Sequence, residues 1–375
     1  MQRRSFMKLV GGGVVVAAAG VGANAMRLPK AALAPWGAAG LGYSDARLNA
    51  LSYAILAPNP HNRQPWMVEL VDENSLRLFV DTDRMLPHTD PFNRQITIGL
   101  GCFLELLRMA AAEDGLNTEI TTFPDGEDVA GLDGRPVAQV TFSTGATSDP
   151  LFAFHQQRRS LKEPFDLDRA VSQRDLDQII SAGRGNAGGS VDPDSITYWR
   201  DMTVAALEIE TDTPHTFKES VDLFRIGASE INANPDGIDF SGPLFQTLGT
   251  FGLMTREATL NTQSTVFAQG LAAVLENAAT AMGHVWLVTD SNARGDQIAA
   301  GADWLRINLA ATSLGIGFQP LSQALQEYPE MQALYAQTHD VLAPGGGTVQ
   351  MLARIGYGPD VPPSPRWGLE AKLLG

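Results

Sequence analysis

Two apolar segments of the chain, separated by 200 residues, align with each other without a gap. The identical pairs are Gly101 with Gly301, Ala110-Ala111 with Ala310-Ala311, and Gly115 with Gly315. The segments predict helices over about 95–114 and 298–314, each ending at a glycine. Small residues on one helix face allow two helices to approach closely. The repeat therefore predicts two copies of one unit packed across a pseudo-twofold axis, although unrelated amphipathic Ala/Gly helices can also align this well.

The remaining periodicities outline the other elements. Apolar spacing from Ser44 predicts a helix that stops before Pro58. Strands are predicted at 66–70, 76–80, 285–288 and 354–357. Segments 117–150 and 182–196 are interpreted as loops and connections, 26–42 as a linker or arm, and 202–280 as mostly helical with a break at 232–237.

Composition limits the functional class. The 375 residues are 44% apolar and 18% charged, which is typical of a globular protein of about two domains. A formal net charge of −15 disfavours nucleic acid as the main ligand, because phosphate neutralisation requires excess cations. A single cysteine, Cys102, excludes an intrachain disulfide, and the six scattered histidines show no metal-ligand spacing.

The N-terminus reads as a targeting segment. Arg3-Arg4 precedes an apolar run that ends at Ala23-Asn24-Ala25, the pattern of a cleavable secretory signal. The paired arginines and the following Ser-Phe-Met-Lys resemble a twin-arginine export signal. We expect residues 1–25 to be this signal and the protein to be periplasmic or extracellular, exported by the twin-arginine translocase.

A proline-bounded turn is the first candidate for chemistry. Residues 57–66 read Ala-Pro-Asn-Pro-His-Asn-Arg-Gln-Pro-Trp, with Pro60 and His61 at the start of the turn. The amides of Asn62 and Gln64 can both donate and accept hydrogen bonds. Such a rigid turn could present them to a planar heterocycle, or it could be a structural turn that caps its neighbours.

A cationic segment is the second candidate. The five-residue segment 158–162 contains three cations, Arg158, Arg159 and Lys162, although the chain as a whole is acidic. The hydroxyl of Ser160 lies among them in the sequence. Their mutual repulsion would be relieved by a shared anion such as phosphate, which suits guanidinium forks. Pairing with acidic residues on a solvated turn would relieve it equally.

Two further segments complete the set of candidates. The proline-rich tail after residue 356 either delivers Arg366 to a site or simply packs as an arm. In the stretch 314–321, Gly315 and Gly317 either allow backbone to approach a ligand or form an ordinary helix end.

Taken in chain order, these motifs resemble nitroreductase-like flavoproteins, and most of all the long, fused Acg-like branch. The segments that carry the resemblance are 58–66, 158–162, 314–321, 355–358 and 364–366. The resemblance implies an α+β nitroreductase-like fold, internally duplicated, so that one chain mimics the family homodimer. It also implies an FMN cofactor at the junction of the halves.

Site roles follow from the resemblance residue by residue. The implied phosphate ligands are Arg158, Arg159, Ser160, Lys162 and Arg366. The implied contacts to the flavin ring or ribityl chain are Asn62 and Gln64, with Gln319, Pro320 and Leu321 on the N5 side. No side chain is assigned a catalytic role, because the flavin would carry the redox chemistry, and no metal is implied.

The fused arrangement implies one FMN per chain. We expect a first half at 44–150 and a second half at 151–375, preceded by the arm at 26–43. The turn of the first half does not recur near 181–189 of the second, so one complete site and one degenerate site are expected. The chain would then be a monomer with an internal pseudo-dimer.

Two functions are compatible with this resemblance. One is an oxidoreductase that passes electrons from a donor through flavin N5 to a nitroaromatic or quinone-like acceptor in a ping-pong cycle. NAD(P)H is the family donor, although it is scarce outside the cytoplasm. The other is a non-catalytic protein that sequesters FMN under a lid, for which residues 240–280 are the candidate.

Overall fold

The computed structural model describes residues 27–128 and 130–375. The segment interpreted as an export signal, residues 1–25, lies outside the described residues. The helices are α1 (Lys30–Ala38), α2 (Ala46–Ala54), α3 (Arg94–Glu113), α4 (Gln173–Ser181), α5 (Pro193–Asp212), α6 (Pro214–Asp222), α7 (Gly227–Ala233), α8 (Pro243–Thr250), α9 (Arg256–Leu260), α10 (Thr265–Ala278), α11 (Arg294–Ser313) and α12 (Gln332–Leu342). The strands are β1 (Trp66–Asp72), β2 (Ser75–Val80), β3 (Leu116–Thr122), β4 (Ala138–Thr144), β5 (Ala187–Ser190), β6 (Phe224–Ile226), β7 (Ile238–Phe240), β8 (Gly283–Thr289), β9 (Gly317–Pro320) and β10 (Thr348–Gly356).

Two four-stranded antiparallel sheets have the same topology. The first has the order β1-β2-β4-β3 and the second the order β5-β8-β10-β9. In each, a 20-residue helix lies between the second and third strands in chain order, α3 in the first and α11 in the second. The architecture is therefore α+β, as expected, and contains two units of matching strand order.

The two long helices touch through their glycines. A Cβ atom added to Gly101 would lie 2.2 Å from the carbonyl oxygen of Ile298, and one added to Gly301 would lie 2.0 Å from that of Ile98. Because Ile298 is Ile98 shifted by 200 residues, each helix makes the same contact with the other, which is the pattern of a twofold interface. Only glycine permits so close an approach.

The helix boundaries extend the correspondence found in the sequence. The helices begin at Arg94 and Arg294, a further identity at the same offset that the sequence comparison missed. Both end as predicted, with Gly115 at φ +72° and Gly315 at φ +66°, in the left-handed conformation of a helix terminus. Helix α3 is long and apolar enough to cross a membrane, with a mean hydropathy of 1.3, but 89% of that stretch is buried inside the protein.

Two segments interpreted as loops contain strands. Residues 117–150 include β3 and β4, and the burial of β3 alternates along an edge strand rich in Asn, Thr and Glu. Its polar composition concealed this alternation. Residues 182–196 include β5, where a Cβ at Gly188 would meet the indole of Trp286 at 2.4 Å. Glycine is needed there for packing, although it is unfavourable in strands.

The arm is also more ordered than its composition suggests. Residues 30–38 form helix α1, although Pro35 lies within it and glycine and alanine dominate its surroundings. Trp36 is only 6% exposed. The predicted linker or arm at 26–42 therefore contains a helix, which tertiary contacts of the indole stabilise.

The second unit carries an insertion between its first two strands. Where a tight turn joins β1 to β2, helices α5–α10 and the two-stranded parallel sheet β6-β7 separate β5 from β8. The predicted break at 232–237 overlaps the last two residues of α7 and continues beyond its end at Ala233. Leu244, Phe251, Leu253 and Val274 leave at least 40% of their surface exposed in this insertion. A lid function for residues 240–280 stays a prediction.

The close helix contact predicts opposite effects for two glycines in α11. Gly301→Ala should lower the free energy of unfolding by about 2–3 kcal/mol, because the new methyl group collides with backbone of α3. Gly295→Ala, in the first turn of the same helix and with open space around it, should raise stability by about 0.5–1 kcal/mol. Urea denaturation of the two variants tests this. Equal effects would show that the helices do not approach as described.

Candidate anion-binding site

The turn before β1 has a strained backbone. His61, Asn62 and Gln64 have φ values of 47°, 52° and 50°, a left-handed conformation that is uncommon outside glycine. The Oδ1 atom of Asn59 accepts a hydrogen bond of 2.7 Å from the backbone N–H of Gln64 and closes the turn. Strain of this kind persists only where surrounding contacts enforce it, and it often marks a functional site.

The C-terminal tail supplies those contacts from about 300 residues away. Nη1 of Arg366 donates to Oδ1 of Asn62 at 2.6 Å, and Nδ2 of Asn62 donates to the Pro365 carbonyl at 3.0 Å. The backbone N–H of Trp367 donates to Oε1 of Gln64 at 2.9 Å. Nζ of Lys372 donates to the Gln64 carbonyl at 2.7 Å. The tail thus holds the turn. The side-chain amides of Asn62 and Gln64, which were predicted to contact a ligand, are hydrogen-bonded to the tail.

Two guanidinium groups converge on one carbonyl beyond the end of α2. The Nη2 atoms of Arg158 and Arg366 both donate to the carbonyl oxygen of Leu56, at 3.2 and 3.1 Å. Arg366 also donates to the Ala57 carbonyl at 3.1 Å. Their side chains are buried, with residue exposures of 5% and 3%. Two arginines that lie 208 positions apart in the chain therefore have guanidinium groups bonded to the same carbonyl oxygen.

Arg159 joins the same region through an aromatic ring. Its Cζ lies 5.2 Å from the ring centroid of Trp36, and the Cζ of Arg366 lies 5.4 Å from that centroid. Nε of Arg159 donates to the Val361 carbonyl at 3.1 Å, which connects this residue to the tail. We call Arg158, Arg159 and Arg366 the arginine cluster.

The arginine cluster lacks a close counter-ion. Within residues 27–128 and 130–375, none of its three guanidinium groups has a carboxylate oxygen within 4.0 Å. Burial, followed by the charge of a neighbouring cluster arginine, lowers the pKa of Arg366 to about 9 and that of Arg158 to about 10. Nε of Arg366 is buried with no hydrogen-bond partner. Carbonyl oxygens alone offset buried charge poorly, so this arrangement fits a bound phosphate group.

Ser160 and Lys162 follow Arg158 and Arg159 in the chain. Ser160 is half-buried and Lys162 is exposed. Burial, followed by the nearby charge of Lys162, lowers the pKa of His61 to about 4. His61 is therefore neutral at pH 7.

The strand predicted to face flavin N5 is occupied by protein contacts. Oε1 of Gln319 accepts a hydrogen bond of 2.6 Å from Nε of Arg354. Leu321 is buried against Leu207 and Ala278. A Cβ at Gly317 would lie 2.5 Å from Leu161, so this glycine is needed for side-chain packing rather than for ligand approach. A ligand contact by Gln319, Pro320 or Leu321 stays a prediction.

Sequence reasoning missed three residues that build the site. Arg354 is buried and donates to the carbonyl oxygens of residues 162 and 163 at 3.2 and 2.8 Å, which fixes the cationic segment. Oδ1 of Asn308 accepts a long hydrogen bond of 3.4 Å from Arg158. Trp36 contacts two of the cluster arginines. Arg354 begins the strand predicted at 354–357, but its burial could not be inferred, and Trp36 lies in the predicted arm, whose composition gave no sign of a site.

No protein-family model matches the chain. The chain is similar to "Putative NAD(P)H nitroreductase acg" of Mycobacterium tuberculosis, with 32% identity over 133 residues, or 35% of this chain and 40% of that protein. It thus spans about two fifths of that relative's length. A second "Putative NAD(P)H nitroreductase" of the same organism is 26% identical over 326 residues, covering 84% of this chain and 87% of the relative. Both relatives carry the name of the class that the sequence motifs resemble.

Solved structures of low similarity were also found. The FMN-dependent nitroreductase NfnB from Mycobacterium smegmatis, in complex with NADPH, is 20% identical and matches 57% of this chain and 92% of its own, with a TM-score of 0.33. A protein from Anabaena variabilis described as "a putative nitroreductase" is 11% identical and matches 88% and 91% of the two chains, with a TM-score of 0.41. TM-scores this low do not establish a common fold.

The buried amine behind the turn predicts a pH dependence. Burial lowers the pKa of Lys372 to about 7 from its ordinary value of 10.5. Between pH 10.5 and 7 the amine is therefore protonated in the unfolded chain but mostly neutral in the folded protein. The unfolded state binds more protons over this range, so the folding stability falls as the pH falls through it. Lys372→Met should remove this contribution, flattening the rise of the unfolding free energy from pH 7 to 10 by about 1 kcal/mol per pH unit.

Urea denaturation at pH 7, 8, 9 and 10 measures the slope. Lys218→Met is the matched control, because Lys218 is exposed on α6 and its removal should leave the slope unchanged. Parallel pH profiles for wild type and Lys372→Met would contradict the burial of this amine.

Proposed function

We propose that this chain is an FMN-dependent oxidoreductase of the nitroreductase class. The observation that carries the proposal is the arginine cluster, in which three guanidinium groups from two distant segments lie together without a close carboxylate. A phosphate monoester supplies up to two negative charges and several acceptor oxygens, which suit such a cluster. The names of the curated relatives support NAD(P)H as the donor. The resemblance of the sequence motifs to nitroreductase-like flavoproteins supports FMN as the phosphate ester.

The residues around the cluster have separable roles in this proposal. Arg158, Arg159 and Arg366 bind the phosphate group, with Ser160 and Lys162 at its edge. Asn62 orients Arg366 through the 2.6 Å hydrogen bond, and Gln64 holds the tail in place. We propose that the strained turn and the strand Gly317–Pro320 flank the flavin ring. When bound, FMN supplies electron transfer through N5.

The two units explain why one complete site is expected. The turn belongs to the first unit, whereas Arg158 and Arg159 precede α4 of the second. In the second unit, the segment before β5 contains glycines and Asn186 in place of the Asn-x-Gln-Pro-Trp turn. We propose that the units arose by internal duplication, as in the Acg-like branch, that the chain is a monomer mimicking a dimer, and that it binds one FMN.

The acceptor and the location belong to the same proposal. An apolar surface in the insertion, including exposed Phe251 and Leu253, suits a nitroaromatic or quinone-like acceptor. We propose export by the twin-arginine translocase to the periplasm or beyond, on the basis of Arg3-Arg4 and the following apolar run.

Flavin sequestration is the competing function. The insertion carries only three charged residues between 241 and 280, namely Arg256, Glu257 and Glu276. A weakly charged helical insertion of this kind could cover the cofactor and exclude a second substrate. The distinction lies in access to the flavin, because both functions use the same arginine cluster.

Purified protein should therefore contain one flavin per chain, and removal of the cluster should abolish binding. Each charge-assisted contact contributes about 1.5–3 kcal/mol, so Arg158→Ala with Arg366→Ala should weaken FMN binding by at least a hundredfold. Visible absorption against protein concentration gives the stoichiometry.

Arg174→Ala is the matched control, because Arg174 is exposed on α4. Two flavins per chain would contradict the single-site proposal. Full retention of flavin by the double variant would contradict the phosphate assignment.

Reduction kinetics separate the enzyme from the sequestering protein. We expect anaerobic NADPH to bleach the bound flavin, and a pulse of nitroaromatic or quinone to restore its colour, because the proposed cycle alternates between donor and acceptor. Stopped-flow absorbance measures both steps. A bound flavin that dithionite reduces but NADPH does not would favour sequestration or a different donor.

A further inference from the structure

The arm helix α1 lies directly on the arginine cluster and the tail. The backbone N–H of Arg366 donates to the Ala32 carbonyl at 2.8 Å, and Nε1 of Trp36 donates to the Ser364 carbonyl at 2.8 Å. Nε2 of Gln156, which precedes the cationic segment, donates to the Trp36 carbonyl at 2.9 Å. These contacts join α1 to both segments that supply the cluster.

The contacts extend to the insertion. The backbone N–H of Ala32 donates to Oδ1 of Asn232 on α7 at 3.0 Å. The described contacts of α1 thus reach three elements that surround the cluster: the cationic segment, the tail and α7. The helix therefore acts as a strap across this region.

Trp36 is the residue of the strap that meets the cations. The Cζ atoms of Arg159 and Arg366 lie 5.2 and 5.4 Å from its ring centroid, within the range of cation–π attraction. The residue is 6% exposed, so its ring excludes water from two positive charges. Exclusion of water strengthens the field that those charges exert on an anion.

We infer that Trp36 is a positioning residue for the phosphate group of the cofactor, and that α1 closes the phosphate end of the site. This inference rests on the proposed function. The indole fixes two guanidinium groups that would otherwise repel each other, and its N–H fixes the tail that carries Arg366.

Docking of the strap and binding of the cofactor are consequently coupled. A phosphate held by Arg159 and Arg366 orders the two side chains on which Trp36 rests, and a docked Trp36 orders those side chains for phosphate. Such coupling is reciprocal, so each event strengthens the other by the same factor.

The test compares FMN with riboflavin, which lacks the phosphate. Wild type, Trp36→Ala, Trp36→Phe and the control Lys30→Ala are titrated with each flavin, and affinity is measured by flavin fluorescence. Lys30 is exposed on the same helix.

Trp36→Ala should weaken FMN binding about tenfold, since two cation–π contacts are lost. Riboflavin binding should change less than about twofold, because the ring end of the site is untouched. Trp36→Phe should recover part of the FMN affinity.

The outcomes separate three cases. Equal weakening for FMN and riboflavin would show that Trp36 only supports the fold and would overturn the inference. Unchanged FMN affinity in Trp36→Ala would overturn it as well. If wild type fails to bind FMN, or binds it no better than riboflavin, the proposed function itself fails.

Limited trypsin digestion of the wild type gives a second measurement that needs no variant. Arg27 and Lys30 are exposed cleavage sites at the start of the strap. FMN should slow cleavage at these sites by about fivefold or more, and riboflavin should not. Cleavage at the same rate with and without FMN would overturn the coupling between strap and cofactor.

Discussion

The architecture depends on two helix backbones that touch where neither has a side chain. At Gly101 and Gly301 the helices approach so closely that any Cβ would enter the opposite backbone. This contact sets the relative position of the two sheets, because each sheet belongs to the unit of one of these helices. It therefore also determines which turn of the first unit faces which arginines of the second. A site built from both units depends on this contact, together with the hydrogen bonds that join residues 365–372 to the turn.

The position of the long helices could be predicted because their signal is local. Apolar periodicity and a terminal glycine define α3 and α11 without reference to any partner, and the strand pair β1-β2 has the same advantage. By contrast, β3 resembles a loop because an edge strand exposes half of its residues, and β5 resembles a loop because Trp286 requires a glycine opposite it. Such patterns become meaningful only once the neighbouring strand is known.

In the candidate site, too, residues with a local sequence signal could be predicted, whereas residues that act through long-range contacts could not. Arg158, Arg159 and Arg366 stand out in an acidic chain because clustered cations are unusual there, and the structure places them together. Trp36 and Arg354 could not be assigned, because their importance lies in contacts made across more than 120 and more than 190 positions of the chain. An isolated tryptophan or arginine carries no sequence signal for such a contact. Burial lowers the pKa of Arg158 and Arg366, so the fold tolerates an unfavourable charge arrangement in the cluster, as it also does at Arg354 and Lys372.

The hydrogen bonds between residues 365–372 and the turn at 61–64 have a consequence for the order of folding during synthesis. The turn is translated first and Arg158 later, and Arg366 and Lys372 emerge from the ribosome about 200 residues after Arg158. All strands of both sheets therefore emerge before the candidate anion-binding site can be complete. A cofactor could then bind only after residues 365–372 have emerged. Until that point, the turn at 61–64 lacks the hydrogen bonds that hold its strained backbone.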